Sequence, residues 1–287
     1  MSNPGMVFSA VRFCRREQIN QNDKEDMKAT KARKYFGSLA EMQDFIRDNE
    51  PLKENVENGR IFSEMCSESF TGTPNFEAAD EMITAGYPEG VKALKAVTAD
   101  KTPKRASYDV YKSQTGFLPS VGDVVAGNPV NMYNVRKSVR ATTKVVDVVI
   151  DNNYGCNAMT EEIERNAVEI TTAVLRLEKS GYRVGLHILN GGVHYKNDDT
   201  YFIVTLKKSN QKIDIHRLSY PMLHPSFFRR HCFAIFERLN KLTPGLARLD
   251  HEAEKHIPEV NRGLDKAKFL KAREGKTADE IVKLVTE

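Results

Sequence analysis

The chain has 287 residues, 40% of them hydrophobic and 29% charged, which fits a globular protein with a real core and excludes a disordered polymer. Its formal net charge of +4 admits an acidic partner but falls short of the strongly basic footprint of a dedicated nucleic-acid binder. No run approaches the roughly 20 apolar residues that span a bilayer. The apolar stretch Val7–Val11 is too short for a signal peptide, and Cys14, Cys66, Cys156 and Cys232 show no paired spacing. A soluble cytoplasmic protein with reduced thiols and no membrane partner is therefore expected.

From Asn20 to Lys34 charges dominate, which predicts a solvated helix or flexible arm. Ser38 with Glu41 is a capping-box pattern, and Leu39, Met42, Phe45 and Ile46 then share one helical face up to Pro51. Phe62–Cys66 reads as a short helical segment. Asn75 is an N-cap for a helix carrying Met82 and Ile83 that closes at Gly86, and Pro88 opens the next, with Val91, Leu94 and Val97 on its stripe. Between Thr102 and Arg140 periodicity fades, and Gly116–Met132 alternates turn residues with small apolar patches. This predicts an irregular connector, or a loop folded over the end of the following strand.

Lys144–Asp151 has the β-branched run of a strand buried on both faces, the organising element of an α/β sheet whose ligands gather past its carboxyl end. Ile163, Ala167, Ile170, Val174 and Leu177 mark a long amphipathic helix closed by Gly181. Arg183–Leu189 is a second strand, Asn190-Gly191-Gly192 a turn, and Tyr201–Leu206 a third strand antiparallel to the second. Ile213–Leu218 reads as a fourth strand. His224-Pro225-Ser226 opens a helix with Phe228, Cys232, Ile235, Leu239 and Leu242 inward, and Thr277 with Glu280 caps the last one.

The stretch Lys144–Leu242 resembles a von Willebrand factor A-type domain, in which a buried strand ends in an Asp-x-Ser-x-Ser metal-adhesion motif before a helix and an antiparallel strand pair. Here the matching positions read Asp151-Asn152-Asn153-Tyr154-Gly155. The aspartate agrees, while Asn153 and Gly155 stand for the two serines, so the resemblance implies a site without an intact metal center. The alternative role for Asp151 is to order the loop by side-chain-to-backbone hydrogen bonds. The whole chain also resembles a tailed-bacteriophage protein family without an assigned activity, through Gly86-Tyr-Pro-Glu-Gly90, Gly127-Asn-Pro-Val-Asn-Met132 and His224-Pro-Ser-Phe-Phe-Arg-Arg230. That likeness implies an infected host cell or virion as the setting.

The fold class expected is α/β: a small mixed sheet of A-type or Rossmann-like plan flanked by helices, with a mainly helical N-terminal region (1–140), the sheet domain (141–243) and a helical C-terminal tail (244–287). No GxSxG elbow, P-loop, GxGxxG or CxxC pattern is present, so no catalytic residue, metal or cofactor is assigned. The expectation is a non-enzymatic interaction or assembly protein binding a protein partner or itself through Asp151, Asn153, Gly155, His224, Arg229 and Arg230. The alternative is nucleic-acid binding or processing on a basic surface of Arg136, Lys137, Arg140, Arg229 and Arg230 near His224, with Tyr133, Tyr195 and Tyr201 available for stacking.

Overall fold

A computed structural model describes residues 31–99, 108–137, 144–154, 158–193, 199–239 and 253–287. Residues 20–30 of the charged arm, Cys14, Arg140, Gly155, Cys156, Tyr195 and Leu242, and the side chain of Val97, lie outside the described set.

The chain enters the fold as β1 (Lys31–Phe36), followed by α1 (Leu39–Asp48) and single helical turns at Lys53–Glu57, Phe62–Met65 and Glu68–Thr71. Next come α2 (Phe76–Ala85), α3 (Pro88–Ala99), β2 (Tyr108–Ser113), β3 (Leu118–Pro119), a helical turn at Val121–Val125 and β4 (Met132–Lys137). Then follow β5 (Val145–Asp151), α4 (Thr160–Lys179), β6 (Arg183–Val193), β7 (Asp199–Lys207) and α5 (Ile215–Leu223). A π-helical segment at Phe227–Cys232 runs into α6 (Phe233–Leu239), and β8 (Lys268–Lys271) and α7 (Ala278–Thr286) complete the fold.

The mixed α/β class holds. Five strands form one sheet in the order β1-β7-β6-β5-β8. The strands β5, β6 and β8 run parallel, β7 is antiparallel to β6, and β1 is parallel to β7. One face carries Val148, Ile150, Leu186, Ile188, Phe202 and Val204 against the long helices; the other carries Val149, Leu189, Tyr201 and Ile203 against Ala253, Ile257 and Leu264. The sheet thus draws strands from residues before 140 and after 244 as well as from the middle of the chain.

Helix signals in the sequence translate directly. Ser38 and Asn75 accept bonds from the amides of Glu41 (3.2 Å) and Ala78 (2.8 Å), and Thr277 and Glu280 form a reciprocal capping box. All five stripe residues of α4 are buried.

Four local readings are corrected. Lys31–Lys34 is not part of a solvated helix or arm but starts edge strand β1, whose charge suits an edge because lysine and arginine discourage pairing with another chain. Asn190-Gly191-Gly192 is not a turn but the continuation of β6: a methyl group on Gly191 would lie 2.4 Å from both Thr200 O and Tyr201 Cδ1, so glycine is there to let Tyr201 lie against the neighboring strand. Ile213–Leu218 is not a strand, because the Asp214 carboxylate accepts from the amides of His216 (3.0 Å) and Arg217 (3.3 Å) and caps α5. The stretch after Thr102 is not irregular where described: β2, β4 and β3 form a separate antiparallel sheet with Val110 opposite Val135 and Leu118 opposite Tyr133.

Replacing Gly191 by alanine should lower the unfolding free energy in urea by about 1–3 kcal/mol, the usual cost of overpacking. The same change at Gly122, where nothing lies within 4 Å, should be neutral or mildly stabilizing. Equal effects at the two positions would remove the packing role assigned to Gly191.

Candidate functional site

Asp151 ends β5 between β6 and β8, where an open α/β sheet presents ligands. Its side chain is fully buried. One carboxylate oxygen accepts from the Asn153 amide (3.1 Å) and from Asn153 Nδ2 (2.6 Å), and the other faces Arg273 Nη1 at 3.3 Å. Asn153 in turn accepts from the Gly191 amide through Oδ1 (3.2 Å) and from Arg273 Nη1 through its carbonyl (3.3 Å). Burial pushes the Asp151 pKa up from the ordinary carboxylate value, opposed by the Asn153 bonds and by the nearby Arg273. The loop is therefore ordered by side-chain-to-backbone bonds, with an arginine supplying the positive charge opposite the aspartate. Among the described residues no cluster of three His, Cys, Asp or Glu side chains is placed to hold a metal ion.

His224, Arg229 and Arg230 are likewise buried. His224 Nδ1 accepts from the Ser226 amide (3.1 Å), which fixes the proton of the neutral ring on Nε2, and the ring packs edge-on to Tyr87 with centroids 4.7 Å apart. Burial pulls its pKa down to about 4. Arg229 donates to the carbonyls of Phe70 (2.6 Å) and Ala158 (3.0 Å) and lies over the Phe70 ring. Arg230 is fully buried and donates to Ser63 O (2.8 Å), Thr73 Oγ1 (2.7 Å), Thr73 O (2.6 Å), Thr71 Oγ1 (2.9 Å) and Cys66 O (3.4 Å). All of these acceptors are neutral. The widened π turn at Phe227–Cys232 directs Arg229, Arg230 and His231 inward together, where an α-helical reading puts the arginines outside.

One turn further on, Glu237 is fully buried and accepts from Ser63 N (2.8 Å) and Ser63 Oγ (2.5 Å), while its carbonyl accepts from Leu52 N (3.0 Å) and Asn55 Nδ2 (2.8 Å). Desolvation raises its pKa to about 7 against the opposing Ser63 bonds.

Sequence reasoning missed a second polar cluster, at the outer edge of the sheet. Arg33 pairs with Asp199 (2.8 Å) and Glu259 (2.6 Å), and its guanidinium lies 5.0 Å from the centroid of Tyr201, on which His256 stacks at 4.2 Å. Arg33 lies 166 positions from Asp199 and 226 from Glu259, and the parallel pairing of β1 with β7 sets Arg33 beside Tyr201 and Asp199. These charges oppose one another and tie β1 to the segment that covers this face. A hollow of about 450 Å³ lies elsewhere, between Leu206–Lys207 and Asp214–Leu218.

The surface of the β2–β4–β3 sheet is different in kind. No residue from 110 to 136 is buried. Exposed large apolar side chains concentrate here: Val125 (83%), Val121 (73%), Phe117 (65%), Val110 (65%) and Leu118 (53%), joined by Tyr111, Val124, Val130 and Val135. The polar residues engage each other, Lys112 with Asp123 and over the Tyr133 ring, and Arg136 over the Tyr111 ring at 5.4 Å.

A family model described as a domain of unknown function, DUF7192, matches residues 16–274. The chain belongs to this family. The DUF7192 match takes in every strand of both sheets and stops before α7. Neither the curated proteins nor the solved structures contain a match to the chain. No helix among the described residues is long and apolar enough to cross a membrane.

Glu237 sets a pH dependence with a definite sign. The folded state keeps its proton up to about pH 7, whereas the unfolded chain releases it near the ordinary value of 4.5. Its contribution is fully present below 4.5 and is lost as pH rises through the folded value. The Tm of the wild type minus that of Glu237→Gln should therefore fall between about pH 5 and 7.5 and level off above about 8. A difference independent of pH would contradict the buried, proton-retaining carboxyl.

Proposed function

We propose that this DUF7192 protein is a non-enzymatic interaction or assembly protein, with the β2–β4–β3 sheet as its contact surface. The observation that carries this reading is the grouping of nine exposed large apolar side chains on a segment with no buried residue. Soluble proteins seldom leave a contiguous apolar patch of several hundred Å² uncovered unless a partner covers it. The residues first expected to make contact, Asp151, Asn153, His224, Arg229 and Arg230, act in this reading as the internal ties that keep the body rigid.

The A-type likeness draws support from the element order, β5 followed by α4 and then the antiparallel β6–β7 pair. Contacts are made without a metal ion in this reading, since Asp151 faces Arg273. On the likeness to tailed-bacteriophage proteins, the setting is an infected cell or its virion. A nucleic-acid role has less behind it, because His224, Arg229 and Arg230 are withdrawn from the surface.

A photo-reactive phenylalanine analogue placed at Val125, in cells producing the protein, should yield protein–protein adducts. The same group at exposed Lys53 should yield few. Equal yields at both positions, or none at Val125, would contradict the reading.

A further inference from the structure

The mild net charge hides an uneven split. Of 43 basic and 39 acidic side chains, 3 and 12 lie between residues 38 and 90, which leaves 40 and 27 for the rest of the chain. Outside those acidic helices, cations gather where the parallel strands begin. Lys144 precedes β5, and its carbonyl accepts from the amide of Arg183, the first residue of β6 (2.7 Å). Strand β7 runs the other way and so ends here, at Lys207, whose Nζ donates to Val184 O (2.7 Å). Lys207 lines the hollow of about 450 Å³ together with Lys212 and Arg217. Lys208 donates its amide to Oε1 of Gln211 (2.8 Å), another lining residue. One edge of the body, from the start of β5 to the start of α5, is therefore followed by lysines and arginines.

Three carboxylates share this edge, and each faces a partner within the body. Glu178 meets Lys207 (2.6 Å), Asp147 meets His187 (3.4 Å), and Asp214 accepts from the amides of His216 and Arg217. Arg183, Lys208, Lys212 and Arg217 are exposed and form no ion pair among the described residues.

We infer that this edge binds the phosphate backbone of a single-stranded nucleic acid, with a base entering the hollow. The inference goes beyond the contact surface proposed above and uses none of the buried cations. Cations strung along several strand ends match a chain of charges better than one small anion. The hollow adds an apolar wall of Leu206, Ile213 and Leu218 beside the amide of Gln211, which suits the flat face and polar rim of a base. A duplex keeps its bases stacked inside, and an acidic peptide brings no base to insert. The acidic helices repel the same backbone and so direct it to this edge.

The test is fluorescence anisotropy of a short labeled oligonucleotide titrated with the full chain. The wild type should bind a mixed-sequence single strand, with affinity falling roughly 20- to 50-fold between 50 and 200 mM salt, as about three or four phosphate contacts require. Lys212→Glu/Arg217→Glu should weaken binding by roughly tenfold or more, through two lost contacts and two repelling charges. Its circular dichroism should not change, since both side chains are exposed. Lys53→Glu, at an exposed cation among the acidic helices, should bind like the wild type, and an abasic strand should bind less tightly than one with bases. No binding of single strands at low salt overturns the inference. So does Lys212→Glu/Arg217→Glu binding at wild-type strength, or equal affinity for a duplex, an abasic strand or poly-glutamate.

Discussion

The guanidinium of Arg230 sits in the interior with five bonds to neutral oxygens and no carboxylate of its own. A buried charge of this kind is tolerable only while its acceptors are all in place, because removing them leaves an ion unsolvated in a medium that cannot compensate it. The acceptors come from Ser63, Cys66, Thr71 and Thr73, in a stretch of single helical turns. Glu237 fixes the same stretch through both donors of Ser63 and, by its carbonyl, through Leu52 and Asn55. Residues 52–73 are held to the Phe227–Leu239 segment by these bonds and by the packing of Phe62, Cys66 and Phe70 against the core, which the N-terminal helices join through Leu39, Met42, Ile46, Ala79, Ile83 and Leu94.

At a few buried polar positions the usual division of labor between surface and interior is reversed. The arginines, the aspartate and the histidine that look available for recognition are consumed in holding the body together. A further set of large apolar side chains stays exposed on the β2–β4–β3 segment, outside the core that covers both faces of the main sheet. Chemistry that depends on an accessible carboxylate or a cationic face has little to work with at these positions, whereas association driven by burial of apolar area has a prepared surface. That is the physical ground for reading the protein as an assembly component.

Helices were legible where a cap and a period agree, as at Asn75 before α2 and Thr277 with Glu280 before α7, while α4 was legible from its apolar stripe and the charges at its ends. The parallel core strand β5 was legible from its β-branched run. Other elements hid behind one local feature that tertiary structure overrode. Lys31 and Arg33 disguised an edge strand, and glycines disguised the end of β6, where Tyr201 needs the space. Asp214 capped a helix across residues that alternate like a strand. The candidate site was less legible than the fold, because whether an arginine turns inward depends on acceptors more than 150 positions away, as with Arg230 and Thr73. The apolar sheet was visible only as a run of turn residues and small patches, a pattern that carries no statement about burial.

Chemical labeling of arginine in the native protein, read out by peptide mapping, reaches the central claim most directly. Phenylglyoxal should modify Arg47, whose side chain is 69% exposed, while leaving Arg229 and Arg230 intact until the protein is unfolded. Modification of Arg229 and Arg230 at the rate of Arg47 in the folded chain would put these cations back on the surface and contradict the account.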